Sequence, residues 1–205
     1  MILQNRIIYD YLTFSSRVHS PEDLVSLLGL ESVNFEVKTG FYGYQFRMFF
    51  CGISIHYDGR SDMGVCVEMS GAGCRTFEEF GNGDYDMIFD LIRFHYPEKE
   101  MNITRLDVAY DDFCGKLDLP KLSRDTVDNH FVSRFRDWQV IQGNKGGSVN
   151  HGSKSSNVYI RIMIRLWNKK SIYRIGYVLK YKFGKSVHGV LYNCKMSLTR
   201  NFLAY

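Results

Sequence analysis

No aspartate or glutamate occurs after Asp137, although the 205-residue chain carries 22 of them. From Met163 to Tyr205 there are nine Lys and Arg and no acid, so the formal +4 of the whole chain conceals a net −5 over residues 1–162. No apolar run approaches the length of a membrane span, which excludes a transmembrane helix from the expected elements. The opening MILQNRIIYDYLTF lacks the long uncharged core and small-residue cleavage site of a secretory leader, so a cytoplasmic protein is expected. Cys51, Cys66, Cys74, Cys114 and Cys194 are odd in number and form no C-x-x-C pair, which favours neither disulfides nor a zinc site. Internal repeats are absent. What remains is a chain long enough for one domain with an ordinary core, rich in aromatics, with 15 Phe and 14 Tyr.

Hydrophobic periodicity divides the chain into short elements. IIYDYLTFSS reads as an opening strand. HSPEDLVSLLGL reads as a helix with Ser20 as N-cap, Pro21 in the first helical position and Gly29 at its end. YQFRMFF and ISIHYDG are strand-like runs joined by a Cys51–Gly52 hairpin. GVCVEMSG alternates, with Cys66 and Glu68 opposite Val65 and Val67. DYDMIFDLIRFHYP is helical and stops at Pro97, TRLDVAYDDF is a strand, and KLDLPKLSRDTVDNHF is a turn followed by a helix. GNKGGSVNHGSKSSN is a hairpin region, and VYIRI begins a strand of the same sheet. The order β-α-β-β-β-α-β-α-β-β gives an α+β fold, a mostly antiparallel sheet with flanking helices.

TRLDVAYDDF places Arg105, Asp107 and Asp111 on one strand face. Two carboxylates aimed the same way repel unless a cation or proton offsets them. A hard divalent ion, Mg²⁺ or Mn²⁺, suits oxygen ligands and keeps waters for a phosphate to displace. Glu68 is the best third ligand. The alternative is the solvent face of an edge strand, with Arg105 paired to Asp107. Asp112, on the other face near the strand end, reads as a turn acid.

VCVEMSGAGCRTFE followed by ITRLDVAYDDF resembles the Rep-trans family of plasmid rolling-circle initiators, phage-type replication initiation proteins and conjugative-transposon relaxases. Glu68, Ser70, Gly71, Gly73, Cys74 and Arg75 fit its E-x-S-G-x-G-C-R motif. Thr104, Arg105, Asp107, Ala109, Asp111 and Asp112 fit T-R-x-D-x-A-x-D-D. Gly152, Ser153, Lys154, Ser156, Asn157, Tyr159, Ile160 and Arg161 fit a third motif, G-S-[RK]-x-S-[DN]-x-Y-[IL]-R. The resemblance covers roughly residues 7–162. It implies the relaxase/rolling-circle nuclease fold and an enzyme that nicks one strand of an origin, single-stranded or in a hairpin. A tyrosine would attack a phosphodiester held by Mg²⁺ or Mn²⁺ on Glu68, Asp107 and Asp111. Tyr159, Arg105 and Arg161 are the candidate catalytic residues, and Arg75, Lys154 and Ser153 the candidate DNA contacts. A replication helicase and a second copy of the chain are the implied protein partners, with no membrane.

After VYIRI the family continues Y-[DE]-K-x-x-E and later W-x-R-x-E-x-Q-x-R, where this chain reads MIRLWNKKSIYRIGYVLKYKFGKSV. Met and Trp have single codons. One base inserted before the Met163 codon regroups its final G with the AT of Ile164 into an aspartate codon. The final G of Trp167 with the AA of Asn168 then becomes a glutamate codon. Both acids fall where the motif requires them, and an inserted T makes the preceding codon tyrosine. Residues 1–162 are therefore expected to be a nuclease domain incomplete at its C-terminal end, and residues 163–205 out-of-frame translation; a DNA-binding extension is the alternative for the tail. The nucleophilic tyrosine is expected on the YIRI strand, either Tyr159 or the residue four further on, which is Met163. The competing functions are origin binding without catalysis and a non-functional remnant of a mobile element.

Overall fold

The computed structural model describes residues 4–130, 135, 137–143, 146–153, 155, 158–167 and 170–180, the last two segments from residue 164 as backbone only. β1 (Arg6–Ser16) is followed by α1 (Pro21–Leu27), β2 (Glu36–Thr39), β3 (Phe46–Phe50), β4 (Ile53–Tyr57) and β5 (Val65–Met69). Then come α2 (Gly71–Phe80), α3 (Tyr85–His95), β6 (Met101–Asp112) and α4 (Leu119–Val127). β7 (Trp138–Gly143), β8 (Gly146–His151), β9 (Val158–Trp167) and β10 (Lys170–Lys180) complete the described chain. All ten strands form one sheet in the order β2-β3-β4-β5-β1-β6-β10-β9-β8-β7, and every pairing is antiparallel. The expected α+β class holds. β6 is an interior strand flanked by β1 and β10, not the edge strand of the alternative reading.

Alternation decides which face each strand buries. Leu12, Phe14, Ile53, Ile55, Val67, Met69, Leu106 and Val108 point to one side and pack against Leu24, Val25, Phe77, Ile88 and Ile92 of α1, α2 and α3. α4 covers the same side further along, where Leu119 meets Val149, Ile160, Ile162 and Tyr110. The helices therefore lie on one face of the sheet, and Tyr11, Glu68, Arg105 and Asp107 stand on the other. Among the described residues no helix is long and apolar enough to cross a membrane.

Local chemistry sets the boundaries. Ser20 accepts from the Asp23 amide at 3.1 Å while Asp23 accepts from the Ser20 amide at 2.9 Å, a reciprocal cap that starts α1 at Pro21. Cys51 and Gly52 both have positive φ, +41° and +90°, which gives the two-residue turn the right-handed twist that joins β3 to β4. Asp112 is 1% exposed and accepts from the Leu117 and Cys114 amides at 2.7 and 3.2 Å, the turn-forming acid expected.

α2 was not expected. It follows β5 directly because Ser70 caps it, accepting from the Gly73 amide at 3.3 Å, and because Gly73 lets its first turn press on the Cys51–Gly52 turn. A Cβ on Gly73 would sit 2.3 Å from the Gly52 carbonyl oxygen, a backbone atom that cannot swing aside. Gly73→Ala is therefore expected to cost about 1–3 kcal/mol of stability, read as a lowered urea midpoint with an unchanged slope. An unchanged midpoint would mean that the contact is looser than this.

β9 runs without interruption across the Ile162–Met163 junction to Trp167, and β10 lies between β6 and β9.

Candidate functional site

The open face gathers polar side chains from four neighbouring strands. Glu68 on β5 lies opposite Thr13 of β1, and Tyr11, two residues earlier on β1, lies opposite Asp107 of β6. The Tyr11 hydroxyl donates to Glu68 Oε1. The Arg105 guanidinium lies 4.0 Å from the Tyr11 ring centroid and grips Asp107 with two hydrogen bonds, Nε to Oδ1 at 2.8 Å and Nη2 to Oδ2 at 2.7 Å. His56 of β4 completes the group, its Nε2 3.7 Å from Glu68 Oε2. The His56 ring is fully buried, and the Phe41 amide donates to its Nδ1 at 3.4 Å. Phe41, Tyr42 and Tyr44 surround that ring with centroids at 6.0, 5.7 and 5.7 Å.

Electrostatics follow from these contacts. His56 is the largest influence holding the Glu68 carboxyl below its usual range, and hydrogen bonds from Tyr11 and Tyr42 act the same way against the opposing cost of burial. The Tyr11 hydroxyl is pushed up, first by burial and then by its hydrogen bond to the Glu68 carboxylate. Cys66, beside Glu68 on β5, is pushed up to about 12 by burial and the nearby carboxylate, so it is a thiol and not a thiolate nucleophile. Arg105 is raised chiefly by Asp107. A carboxyl whose folded pKa is lowered stabilises the fold above its unfolded value and loses that contribution as pH falls through the lowered one. Parent protein and Glu68→Gln should thus differ in urea midpoint at pH 7 and converge only below about pH 4. A gap that stays constant from pH 7 to 3 would remove the carboxylate from this role.

The three expected metal ligands are not assembled into one cluster. Among the described residues no group of three or more His, Cys, Asp and Glu is placed to hold a metal ion. Asp111 is fully buried and paired with Arg6, whose Nε is 3.1 Å from Oδ2. Glu68 and Asp107 remain accessible, with 22% and 16% of their side chains exposed. One or two carboxylates with waters and substrate phosphates are the usual protein share of a Mg²⁺ site; here Arg105 holds both oxygens of Asp107 and Tyr11 one oxygen of Glu68.

Tyr159 shares a cross-strand row with Asp107, the two separated by Val178 of β10. Two strand spacings put their backbones roughly 10 Å apart. Tyr159 is 8% exposed, Arg161 is exposed in the next row beside Ala109, and Met163 falls in the row of Asp111. Arg75 is not brought to this face. It sits on α2, where its Nη2 donates to the Tyr9 carbonyl and to Glu78 Oε1, both at 2.7 Å. Ser153 lies in the turn before β9 and hydrogen-bonds with Ser155, and Lys154 is outside the described residues. Sequence reading misses Tyr11, His56 and Tyr42. The alternation of ISIHYDG marks His56, and that of YLTF marks Tyr11, as pointing away from the apolar side. A register shift between Tyr9 and Tyr11 breaks the pattern, since Tyr9 packs in the core.

Residues 6–94 match the sequence model of the rolling-circle replication initiation protein N-terminal domain, and residues 101–170 match that of the replication initiation factor. NicK of Bacillus subtilis (strain 168), named as a DNA relaxase, is 29% identical over 176 residues, covering 81% of this chain and 50% of NicK. The chain thus spans about half the length of that curated relative. The solved structure of the rolling circle replication initiator protein from Geobacillus stearothermophilus superposes with a TM-score of 0.75 at 29% identity, covering 86% of this chain and 75% of the other. Two consecutive family matches in the expected order, together with a shared fold, show that residues 6–170 are similar to rolling-circle replication initiation proteins and replication initiation factors.

Proposed function

We propose that this domain nicks one strand of DNA at a replication origin by attack of a tyrosine on a phosphodiester. The observation that carries the reading is the open-face row in which Tyr11, Asp107 and Tyr159 align, with Glu68 and Arg105 beside it. The Tyr159 oxygen attacks phosphorus, the bond to the 3′ oxygen breaks, and the products are a 5′-phosphotyrosyl link and a free 3′-hydroxyl. The proton lost by the Tyr159 hydroxyl and the one taken up by the departing 3′ oxygen would be exchanged with solvent, and Arg105 and Arg161 would position phosphates. Glu68 and Asp107 would hold a Mg²⁺ or Mn²⁺ ion, which when bound offsets charge on the phosphoryl oxygens. Asp107 is freed for this role when Arg105 turns to a phosphate, an acceptor its planar fork suits equally well. Origin DNA, a helicase, a second copy of the chain and a cytoplasmic setting complete the reading. Residues 163–205 are read as out-of-frame translation, and the nucleotide sequence across codons 160–185 tests that directly. Codons incompatible with the regrouping would sink it.

A second reading, DNA binding without cleavage, is favoured by the low exposure of Tyr159 and by Met163 standing four residues on. Incubation with a supercoiled origin plasmid and Mn²⁺ separates the two. A covalent protein–DNA adduct that chelation prevents supports nicking. Salt-sensitive binding with no adduct supports the second reading.

A further inference from the structure

The loop joining β2 to β3 and the open face of those strands carry aromatic and basic side chains that the cleavage chemistry does not use. Phe41 is 51% exposed and Tyr42 71% exposed. Arg47 of β3 lies between two rings, its guanidinium carbon 4.5 Å from the Phe41 centroid and 5.1 Å from that of Phe49. Lys38 of β2 also stands over Phe49, 4.6 Å from its centroid, and is paired with Glu36 at 2.7 Å. Arg6, Arg60, Arg75, Arg93 and Arg105 each pair with a carboxylate. Arg47 forms no ion pair among the described residues; its Nη1 donates only to the Ser54 hydroxyl at 3.3 Å, and its buried Nε has no acceptor. Tyr42 holds a left-handed backbone, φ +58°, a conformation that costs a non-glycine residue free energy and is retained where the surroundings or the function require it.

This surface runs directly into the site. Arg47 pairs across the sheet with His56, and Ser54 with Glu68. The Tyr42 and Phe41 rings flank His56, which neighbours Glu68. A cation lacking an anion among the described residues, beside the exposed Phe41 and Tyr42, matches a strand whose phosphate meets the guanidinium while its bases stack on those two rings. Paired bases already stacked in a duplex offer no faces to these rings.

We propose that Phe41, Tyr42, Phe49, Arg47 and Lys38 form a platform that binds single-stranded DNA next to the scissile phosphate. The proposal rests on the nicking reading for its orientation and goes beyond it in assigning the strand's path over β2–β3. The test is fluorescence anisotropy of the full chain with a labelled deoxythymidine strand of about ten nucleotides, in chelator so that no cleavage intervenes. Phe41→Ala combined with Tyr42→Ala is expected to weaken binding at least roughly tenfold, whereas Tyr42→Phe keeps the ring and the affinity. Phe41→Leu retains apolar cover over Arg47 and still loses affinity, so a folding defect does not imitate the result. Arg47→Gln is expected to reduce the salt slope by about 0.7, one phosphate contact on a single strand. Phe94→Ala, an aromatic 77% exposed on α3, serves as the control and leaves binding unchanged.

Double-variant binding within twofold of the parent overturns the platform, as does an equal loss on duplex of the same length. If the parent binds the strand through these rings yet forms no adduct with origin plasmid, the nicking reading falls and the platform stands. If it forms the adduct while the double variant binds as the parent does, the platform alone falls.

Discussion

Tyr159→Phe is expected to reduce formation of the covalent protein–DNA adduct at least about a thousandfold while leaving strand affinity within about twofold. The substitution removes one oxygen and keeps the ring, so packing of a side chain that is 8% exposed is preserved and only the attacking atom is lost. Tyrosine is a poor nucleophile at its ordinary pKa, and among the described residues the row holds one other phenolic oxygen, that of Tyr11. Tyr11 is the nearest rival, but its hydroxyl is committed to Glu68 and is pushed up by burial and by that carboxylate. Tyr11→Phe should therefore leave the adduct detectable. The measurement is a denaturing gel of protein incubated with origin plasmid and Mn²⁺. An adduct that persists in Tyr159→Phe and disappears in Tyr11→Phe would transfer the nucleophile to β1.

Phe77→Ala is expected to destabilise the domain by about 3–5 kcal/mol and to lower its thermal midpoint by about 10 °C. Phe77 is fully buried on α2, and its ring meets Tyr85 edge-on at 5.0 Å. Tyr85 in turn packs against Tyr9 at 4.5 Å, and Tyr9 against Phe89 at 5.5 Å. Truncation leaves a cavity in this aromatic group that the sheet beneath it cannot close. The loss should extend to the site, because α2 is anchored one residue beyond Met69, the end of the strand that carries Glu68. Phe80→Ala, 67% exposed on the same helix, is expected to stay within about 0.5 kcal/mol of the parent. Equal midpoints for Phe77→Ala and the parent would show that α2 contributes little to the core.

The parts of this structure that were legible in the sequence are those where local pattern and tertiary outcome agree. Ser20 and Pro21 announce α1 because capping is a contact over three residues. The alternation of TRLDVAYDDF fixes which side chains share a face, and Asp107 and Arg105 do stand together with Glu68 nearby. It does not fix their partners. Arg105 pairs with Asp107, as the alternative reading had it, but on an interior strand. Asp111 is taken by Arg6, a residue 105 positions away. α2 was illegible because Gly71 and Gly73 are poor helix formers, and the reason for Gly73 is the distant Gly52 carbonyl. His56 joins Glu68 only through the β4–β5 pairing, which no spacing in the chain encodes.

The position of β10 has a consequence for how the protein comes into being. Among the described strands it alone hydrogen-bonds β6 to β9, so Glu68 and Asp107 belong to one half of the sheet and Tyr159 to the other until it arrives. A nascent chain that has emerged only as far as β9 exposes two unpaired strand edges and keeps its carboxylates and its tyrosine apart. The row that carries the proposed chemistry is therefore not assembled until β10 has joined the sheet. β10 also falls within residues 163–205, the stretch proposed to be out-of-frame translation, so restoring the frame would change the sequence of the strand that joins the two halves.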